Sequence, residues 1–207
     1  MPSTTSRKIL IIGASGQIGR LLVPKLITAG HSVIAAIRNP AKAAELQHAG
    51  AEIRLVELEG DLGPLCAGVD IVIFTAGSGS ATGKDKTLTV DLWGAIQCIR
   101  ASEDSGVQRF IMLSALKAAT PNRGSEALKP YLIAKHAADD ILKHSRLNYS
   151  ILRPGRLTDG PECRTLLTAR EGLDYAGTIS RASVAEFIRQ HIDQADGNVT
   201  LDLIEPK

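Results

Sequence analysis

The chain has 207 residues, with 24 Lys and Arg against 22 Asp and Glu, 44% hydrophobic residues and only 3% aromatic ones. That length suits one domain, and a net charge of +2 with no basic block or aromatic-interleaved stripe excludes nucleic acid as an expected partner. A core so poor in aromatics must be built from Ile, Leu, Val and Ala, which suits a parallel sheet covered by helices. Cys66, Cys98 and Cys163 stand far apart with no CxxC pair, and the five histidines form no HxH or HExxH set. Neither a disulfide framework nor a metal site is therefore expected. The first apolar run ends at Gly13, too short for a signal segment or a membrane span, so a cytoplasmic protein with no membrane partner is expected.

In chain order, short aliphatic runs alternate with longer amphipathic stretches. Strands are predicted over residues 8–12, 32–37, 52–56, 71–74, 109–113, 149–153 and 199–203. Helices are predicted over 17–29, 40–49, 87–105, 131–145 and 183–192. Gly30, Gly50 and Gly106 each stand just past a helix end, where a left-handed residue is wanted, and Pro40 opens the second helix. Alternation of this kind implies right-handed crossovers and an α/β fold of the Rossmann type: a doubly wound parallel sheet, single domain, helices on both faces. Residues 1–155 would form a cofactor-binding core and 156–207 a small C-terminal elaboration completing a pocket. The segments 77–86 and 115–130 fit neither pattern and are expected at the carboxyl ends of strands, where ligands bind.

The first strand runs straight into Gly13-Ala14-Ser15-Gly16-Gln17-Ile18-Gly19 and then into a helix. In this GxxGxxG pattern Gly13 permits the sharp turn, Gly16 lets backbone amides approach a pyrophosphate, and Gly19 lets helix pack on strand. The helix N-terminus adds partial positive charge beneath the phosphates, with Ser15, Gln17 and Ile18 in the same turn. At the end of the second strand stands Arg38, with Lys42 one turn into the next helix and no acidic residue before Glu45. An acidic residue there would read ribose hydroxyls; a cation reads a 2′-phosphate, so NADP(H) is expected over NAD(H). After the third strand, Asp61 can accept from an adenine amino group while Leu62 covers the ring; equally, Asp61 can cap the short helix that follows.

Tyr131 and Lys135 stand at i and i+4 near the start of a predicted helix and so share a face. Spacing alone favours an ordinary helical pair. In a catalytic setting the ammonium would stabilise tyrosinate and lower the phenol's pKa, allowing proton exchange with a substrate hydroxyl or carbonyl. His136 points about a hundred degrees away and reads as structural, and Trp93 reads as core or interface. Arg153, Arg156, Arg164 and Arg170 cluster after the sixth strand, as anion grips or as solvated charges.

These motifs together resemble the short-chain dehydrogenase/reductase superfamily, in its small atypical branch of NAD(P)H-binding, NmrA-like and biliverdin-reductase-B-like proteins. The resemblance covers nearly the whole chain: the glycine loop, Arg38-Asn39-Pro40, Gly60-Asp61-Leu62, Thr75-Ala76-Gly77, Leu113-Ser114, Tyr131 to Lys135, Leu152-Arg153-Pro154-Gly155 and 179–185. It implies that Ala76 and Gly77 lie along the cofactor ribose, that Lys135 binds the nicotinamide ribose, and that Pro154 and Gly155 line the nicotinamide pocket. It also implies an NADP(H)-dependent oxidoreductase with Tyr131 as acid/base, Lys135 as its modifier and Ser114 as a helper, acting on a small-molecule substrate as a monomer or homodimer. Active members commonly carry a second hydroxyl where this chain has Ala115, so the alternative is a non-catalytic NADP(H)-binding sensor or regulator. About fifty residues follow Gly155, so the expected substrate pocket is small, walled by 77–86, 115–130 and 156–174.

Overall fold

The computed structural model describes residues 6–79, 83–170, 173–194 and 197–206; parts of two expected pocket walls, 80–82 and 171–172, lie outside the described residues. The chain forms β1 (Lys8–Ile12), α1 (Gln17–Thr28), β2 (Ser32–Ile37), a 3-10 turn (Pro40–Lys42) running into α2 (Ala43–His48), β3 (Glu52–Leu55), α3 (Gly63–Cys66) and β4 (Ile71–Phe74). One helical stretch then passes through α4 (Lys84–Lys86), a π-helical segment (Thr87–Gly94) and α5 (Ala95–Asp104) before β5 (Arg109–Leu113). Two 3-10 turns (Leu116–Ala119 and Pro121–Arg123) lead to α6 (Lys129–Lys143) and β6 (Tyr149–Pro154). The chain ends with β7 (Arg156–Thr158), β8 (Leu167–Ala169), β9 (Thr178–Ser180), α7 (Arg181–His191) and β10 (Val199–Ile204).

Eight strands make one sheet in the order β3-β2-β1-β4-β5-β6-β10-β8, parallel throughout except for β8 against β10. β1 pairs with β2 on one side and β4 on the other, so the strand order reverses there, and ligands in open α/β sheets bind at such a reversal. Alternate strand residues serve opposite faces. Ile9, Ile11, Val33, Ala35, Ile71, Ile73 and Ile111 pack against α1, α2 and α7. Leu10, Ile12, Ile34, Val72, Phe74, Phe110 and Met112 pack against α3, α5 and α6. Both faces being covered, the strands must be aliphatic along their whole length, which is why they were legible as runs.

The predicted strands and longer helices are all present, with ends displaced by a residue or two, except that the helical stretch after β4 starts three residues early, at Lys84. Gly30, Gly50 and Gly106 take left-handed φ of +91°, +99° and +69° at their helix ends, as expected. The short strands β7, β8 and β9 carry three residues each, too few to show a period; β7 and β9 pair as a separate parallel ladder. Cys66 on α3 and Cys98 on α5 are sequence-distant but are neighbours in the core, where Cys66 Sγ also lies 3.8 Å from Ser102 Oγ. No helix among the described residues is long and apolar enough to cross a membrane.

α7 is fastened to α1 by charge as well as by packing. Lys25 Nζ stands 2.8 Å from both Glu186 on α7 and Glu162. Arg189, with Lys25 and Gln190, holds the Glu186 carboxyl down at about 2 against the cost of burial. A folded value below the ordinary ~4.3 means stability that is present above that pH and lost as pH falls towards 2. Glu186→Gln is expected to lower the unfolding free energy by about 1–2 kcal/mol at pH 7, after discounting for the solvent that reaches Lys25 and Arg189. Denaturant titrations at pH 7 and near pH 2 check this; a loss that persists unchanged at the acid end would mean packing, not charge.

Candidate functional site

The glycine turn lies where β1 and β4 end side by side. Gly13 has φ +87°, and a Cβ there would stand 2.7 Å from both the backbone nitrogen and the Cα of Ala76. Any side chain would therefore drive the turn away from the end of β4. Thr75 closes the junction, its amide and hydroxyl both donating to the Ile12 carbonyl at 2.9 and 3.0 Å. A Cβ on Gly19 would stand 2.5 Å from the Ala14 carbonyl, so α1 can start this close to the turn only with glycine there. Gly16 caps α1 without a side-chain hydrogen bond, and its first turn holds no acidic residue. The amide end of the helix thus stays open to an anion, with Gln17 exposed and Ser15 half-buried beside it, while Ile18 turns into the core.

Arg38 follows β2 and Lys42 ends the 3-10 turn, both exposed. Glu45, the first acid in this stretch, stands 3.8 Å from Arg20, and neither Arg38 nor Lys42 has an ion-pair partner among the described residues. Asp61 stands just before α3, its Oδ1 accepting from the Gly63 amide at 2.9 Å, and it lines an open hollow of about 370 Å³ with Arg54, Val56 and Gly60. Leu62 is 2% exposed and packs in the core with Leu65 and Cys66, leaving almost no surface to lay over an adenine ring.

At the carboxyl ends of β4, β5 and β6 the structure gathers a buried cluster of charges. Tyr131, Lys135 and Asp139 follow one another at four-residue steps along α6. Lys135 is 2% exposed, its Nζ 5.9 Å from the centre of the Phe74 ring, the last residue of β4. Asp139 is fully buried, and Arg153 on β6 donates to its Oδ2 at 2.9 Å. Asp91, equally buried, comes in from the π-helical segment and accepts from the Ser78 amide at 3.0 Å. Ser114, just beyond β5, is buried beside Asp139, yet neither Ser114 Oγ nor Asp139 Oδ1 has a partner of hydrogen-bond geometry.

Burial pushes the Lys135 ammonium down from its ordinary pKa, while Asp91 and Asp139 hold it up. For Tyr131, burial and then the negative charges of Asp91 and Asp139 all push the phenol upward. The expected lowering of the phenol by Lys135 is therefore reversed here, first because the phenol is desolvated and then because two carboxylates share the pocket with the ammonium. Burial also raises Asp139, against the pull of Arg153, Ser114 and Lys135.

Sequence reasoning missed Asp139 and Asp91. The first was within reach, standing one more four-residue step along the Tyr131 and Lys135 face. The second lies far upstream, and only the π-helical segment carries it to α6.

The remaining residues fall into place around this cluster. Pro154 ends β6, and Gly155 has a packing reason of its own: a Cβ would stand 2.4 Å from the Gly177 carbonyl. Ala76 and Gly77 follow β4, and a Cβ on Gly77 would meet Asp91 Oδ1 at 3.1 Å. His136 is structural, as expected, its Nδ1 standing 2.8 Å from the Ala118 carbonyl. Trp93 is 42% exposed with Arg100 stacked 5.9 Å away, so it does not belong to the core. The arginine cluster divides: Arg153 is buried against Asp139, while Arg156, Arg164 and Arg170 are exposed. Thr120 donates to the Tyr175 hydroxyl at 3.0 Å, tying the segment after β5 to the one before β9.

The comparisons with known proteins agree with this geometry. A family described as NAD(P)H-binding matches residues 13–195. A Bacillus subtilis relative, "Uncharacterized sugar epimerase YhfK", is 45% identical over 203 residues, 96% of this chain and 94% of its own. A solved Bacillus halodurans structure, named for NAD-dependent epimerase/dehydratase activity, superposes with a TM-score of 0.93 at 36% identity, covering 98% of this chain and 95% of its own. ChuY of Escherichia coli O157:H7, described as an anaerobillin reductase, shares the fold at a TM-score of 0.82 and 23% identity, covering 97% of this chain and 98% of its own. The chain belongs to the NAD(P)H-binding family of Rossmann-type proteins, as its resemblance to short-chain dehydrogenase/reductases implied.

Proposed function

We propose that the protein is an NADP(H)-dependent oxidoreductase acting on a small carbonyl or hydroxyl substrate. The observation that carries this reading is the shared face of α6, where the half-buried Tyr131 stands one turn from Lys135, which is buried beside the end of β4, a strand-width from the glycine turn. The residues present fit a dinucleotide. Gly13 and Gly16 leave room for backbone to approach a pyrophosphate, the amide end of α1 is open to it, and Ala76, Gly77, Pro154 and Gly155 would flank the nicotinamide half. Arg38 and Lys42 would hold a 2′-phosphate, since both are exposed cations with no ion-pair partner to give up among the described residues. When bound, the cofactor supplies the hydride.

The chain's own residues supply the proton. Tyr131 is the group that would protonate a carbonyl oxygen in reduction and take the proton back in the reverse reaction; its phenol, pushed upward by burial, keeps its proton at neutral pH. Lys135 holds positive charge behind it, and Ser114 offers a buried hydroxyl beside Asp139. The Escherichia coli neighbour is described as a reductase and the Bacillus subtilis relative as a sugar epimerase. Ala115, standing where a second hydroxyl would orient a carbonyl, favours the other reading, a protein that binds NADP(H) without turnover.

Two experiments test these assignments. Arg38→Asp is expected to cut the preference for NADPH over NADH by about 10- to 100-fold, the worth of a charge-assisted contact; parallel fluorescence titrations read it, and unchanged discrimination would sink the role of Arg38. Tyr131→Phe is expected to lower reduction of a responsive carbonyl substrate by about 100-fold or more while NADPH still binds. Full activity in that variant would remove Tyr131 from the chemistry. NADPH binding with no turnover across a broad carbonyl panel would favour the sensor.

A further inference from the structure

We propose that Arg123 and Tyr175 form a subsite for a carboxylate, so that the ligand taken beside the nicotinamide is a small carbonyl compound carrying an acid group. The inference rests on the oxidoreductase reading above and deepens it by naming the class of substrate that the same site takes.

Three residues from two separate segments close on one another. Thr120 and Arg123 belong to one turn after β5, where the Thr120 carbonyl accepts from the Arg123 amide at 2.9 Å. The Thr120 hydroxyl donates to the Tyr175 hydroxyl at 3.0 Å, and the Arg123 guanidinium lies over the Tyr175 ring, 5.2 Å from its centre. Tyr175 is fixed by a turn of its own. Asp174 accepts from the Ala176 amide through its side chain at 2.9 Å and from the Gly177 amide through its carbonyl at 2.8 Å.

The cluster stands where two walls of the expected substrate pocket meet. On one side its turn lies against α6, since a Cβ on Gly124 would run into Leu132, the residue after Tyr131. On the other, the Gly177 carbonyl accepts from the Arg156 amide at 3.0 Å and packs against Gly155, next to Pro154 at the end of β6. A substrate held between Tyr131 and Pro154 can therefore place its outer end against Arg123 and Tyr175.

The chemistry of the cluster selects an anion. Arg181 and Arg189 are each held by a carboxylate, Asp159 and Glu186. Arg123 is exposed, has no ion-pair partner among the described residues, and is held by an aromatic ring instead. A ring attracts the charge without taking up the N–H fork, which remains for the paired hydrogen bonds of a carboxylate. The Tyr175 hydroxyl, having accepted from Thr120, keeps its own proton to donate. A tie between two loops would need only that hydroxyl contact and an apolar neighbour, not a cation. One guanidinium and one hydroxyl match a singly charged, planar group.

The test uses 4-carboxybenzaldehyde, 2-oxobutanoate and levulinate, each beside its methyl ester, which keeps the carbonyl and removes the charge. Calorimetric titration into protein saturated with NADP⁺, where no reduction can occur, reads binding alone; oxidation of NADPH then reads turnover. At least one acid is expected to bind wild type about tenfold more tightly than its ester. Arg123→Gln should weaken that acid about tenfold while the ester moves less than about twofold, and Arg123→Lys should restore part of the loss. Tyr175→Phe, which keeps the ring and removes the hydroxyl, should weaken the acid by about threefold. Acids that bind no better than their esters, or an Arg123→Gln loss shared equally by acid and ester, would overturn the subsite, and NADPH oxidation by the same compounds would leave the oxidoreductase reading standing. Selective binding of the acids without NADPH oxidation would support the subsite and remove that reading instead.

Discussion

The close approach of Gly13 to Ala76 is the constraint on which the rest depends. A parallel sheet whose order reverses at β1 leaves a crevice beyond the ends of β1 and β4. It is useful only if the two chain exits can run side by side at backbone contact. Gly13 permits this through its left-handed φ and its missing Cβ, and Thr75 locks the junction with two hydrogen bonds to Ile12. The amide end of α1 then faces the crevice from one side. From the other, the chain leaving β4 carries Ala76, Gly77 and Ser78 towards Asp91 and Lys135. Move the turn outward by the width of a methyl group and both halves of the site lose their shared floor.

The second half is built on charge rather than on close backbone contact. Two cations, Lys135 and Arg153, and two carboxylates, Asp91 and Asp139, are all buried within the space between the π-helical segment, α6 and β6. Replacing such a set with aliphatic residues commonly costs nothing and often stabilises a fold. A structure that retains it therefore invites a reason outside stability. Here the set holds an ammonium in place on the same helix face as the Tyr131 phenol.

How much of this was legible in the sequence follows from the range over which each signal acts. Strands buried on both faces read as aliphatic runs, and the helix ends were marked by Gly30, Gly50 and Gly106, so seven of the eight strands of the main sheet and its parallel, doubly wound class could be inferred. The glycine turn, Arg38 and the Tyr131–Lys135 spacing are likewise local. β7, β8 and β9 left no trace because three residues show no period. The π-helical segment was invisible for a different reason: its one-residue widening is a tertiary outcome, and it decides that Asp91 points at α6. Leu62 and Arg153 were misplaced for the same cause. Their burial depends on what packs over them, not on their neighbours in the chain.

Unsatisfied buried atoms mark where packing has yielded to something else. Thr89 Oγ1, Asp91 Oδ1, Ser114 Oγ and Asp139 Oδ1 are buried side-chain oxygens without a hydrogen-bond partner, and they lie on the π-helical segment, just after β5 and on α6. Two of the four, on Asp91 and Asp139, belong to the carboxylates that act on Lys135. Each costs free energy that a different side chain would spare, so their concentration at this end of the crevice is hard to ascribe to folding alone. The glycine turn, by contrast, is well satisfied and closely packed. The anion-binding end of the crevice is thus rigid and complete by itself, while the end near Tyr131 holds spare acceptors and opposed charges. Such a division suits a protein that grips the phosphates through a preformed backbone and leaves proton chemistry to side chains whose balance a bound ligand can tip.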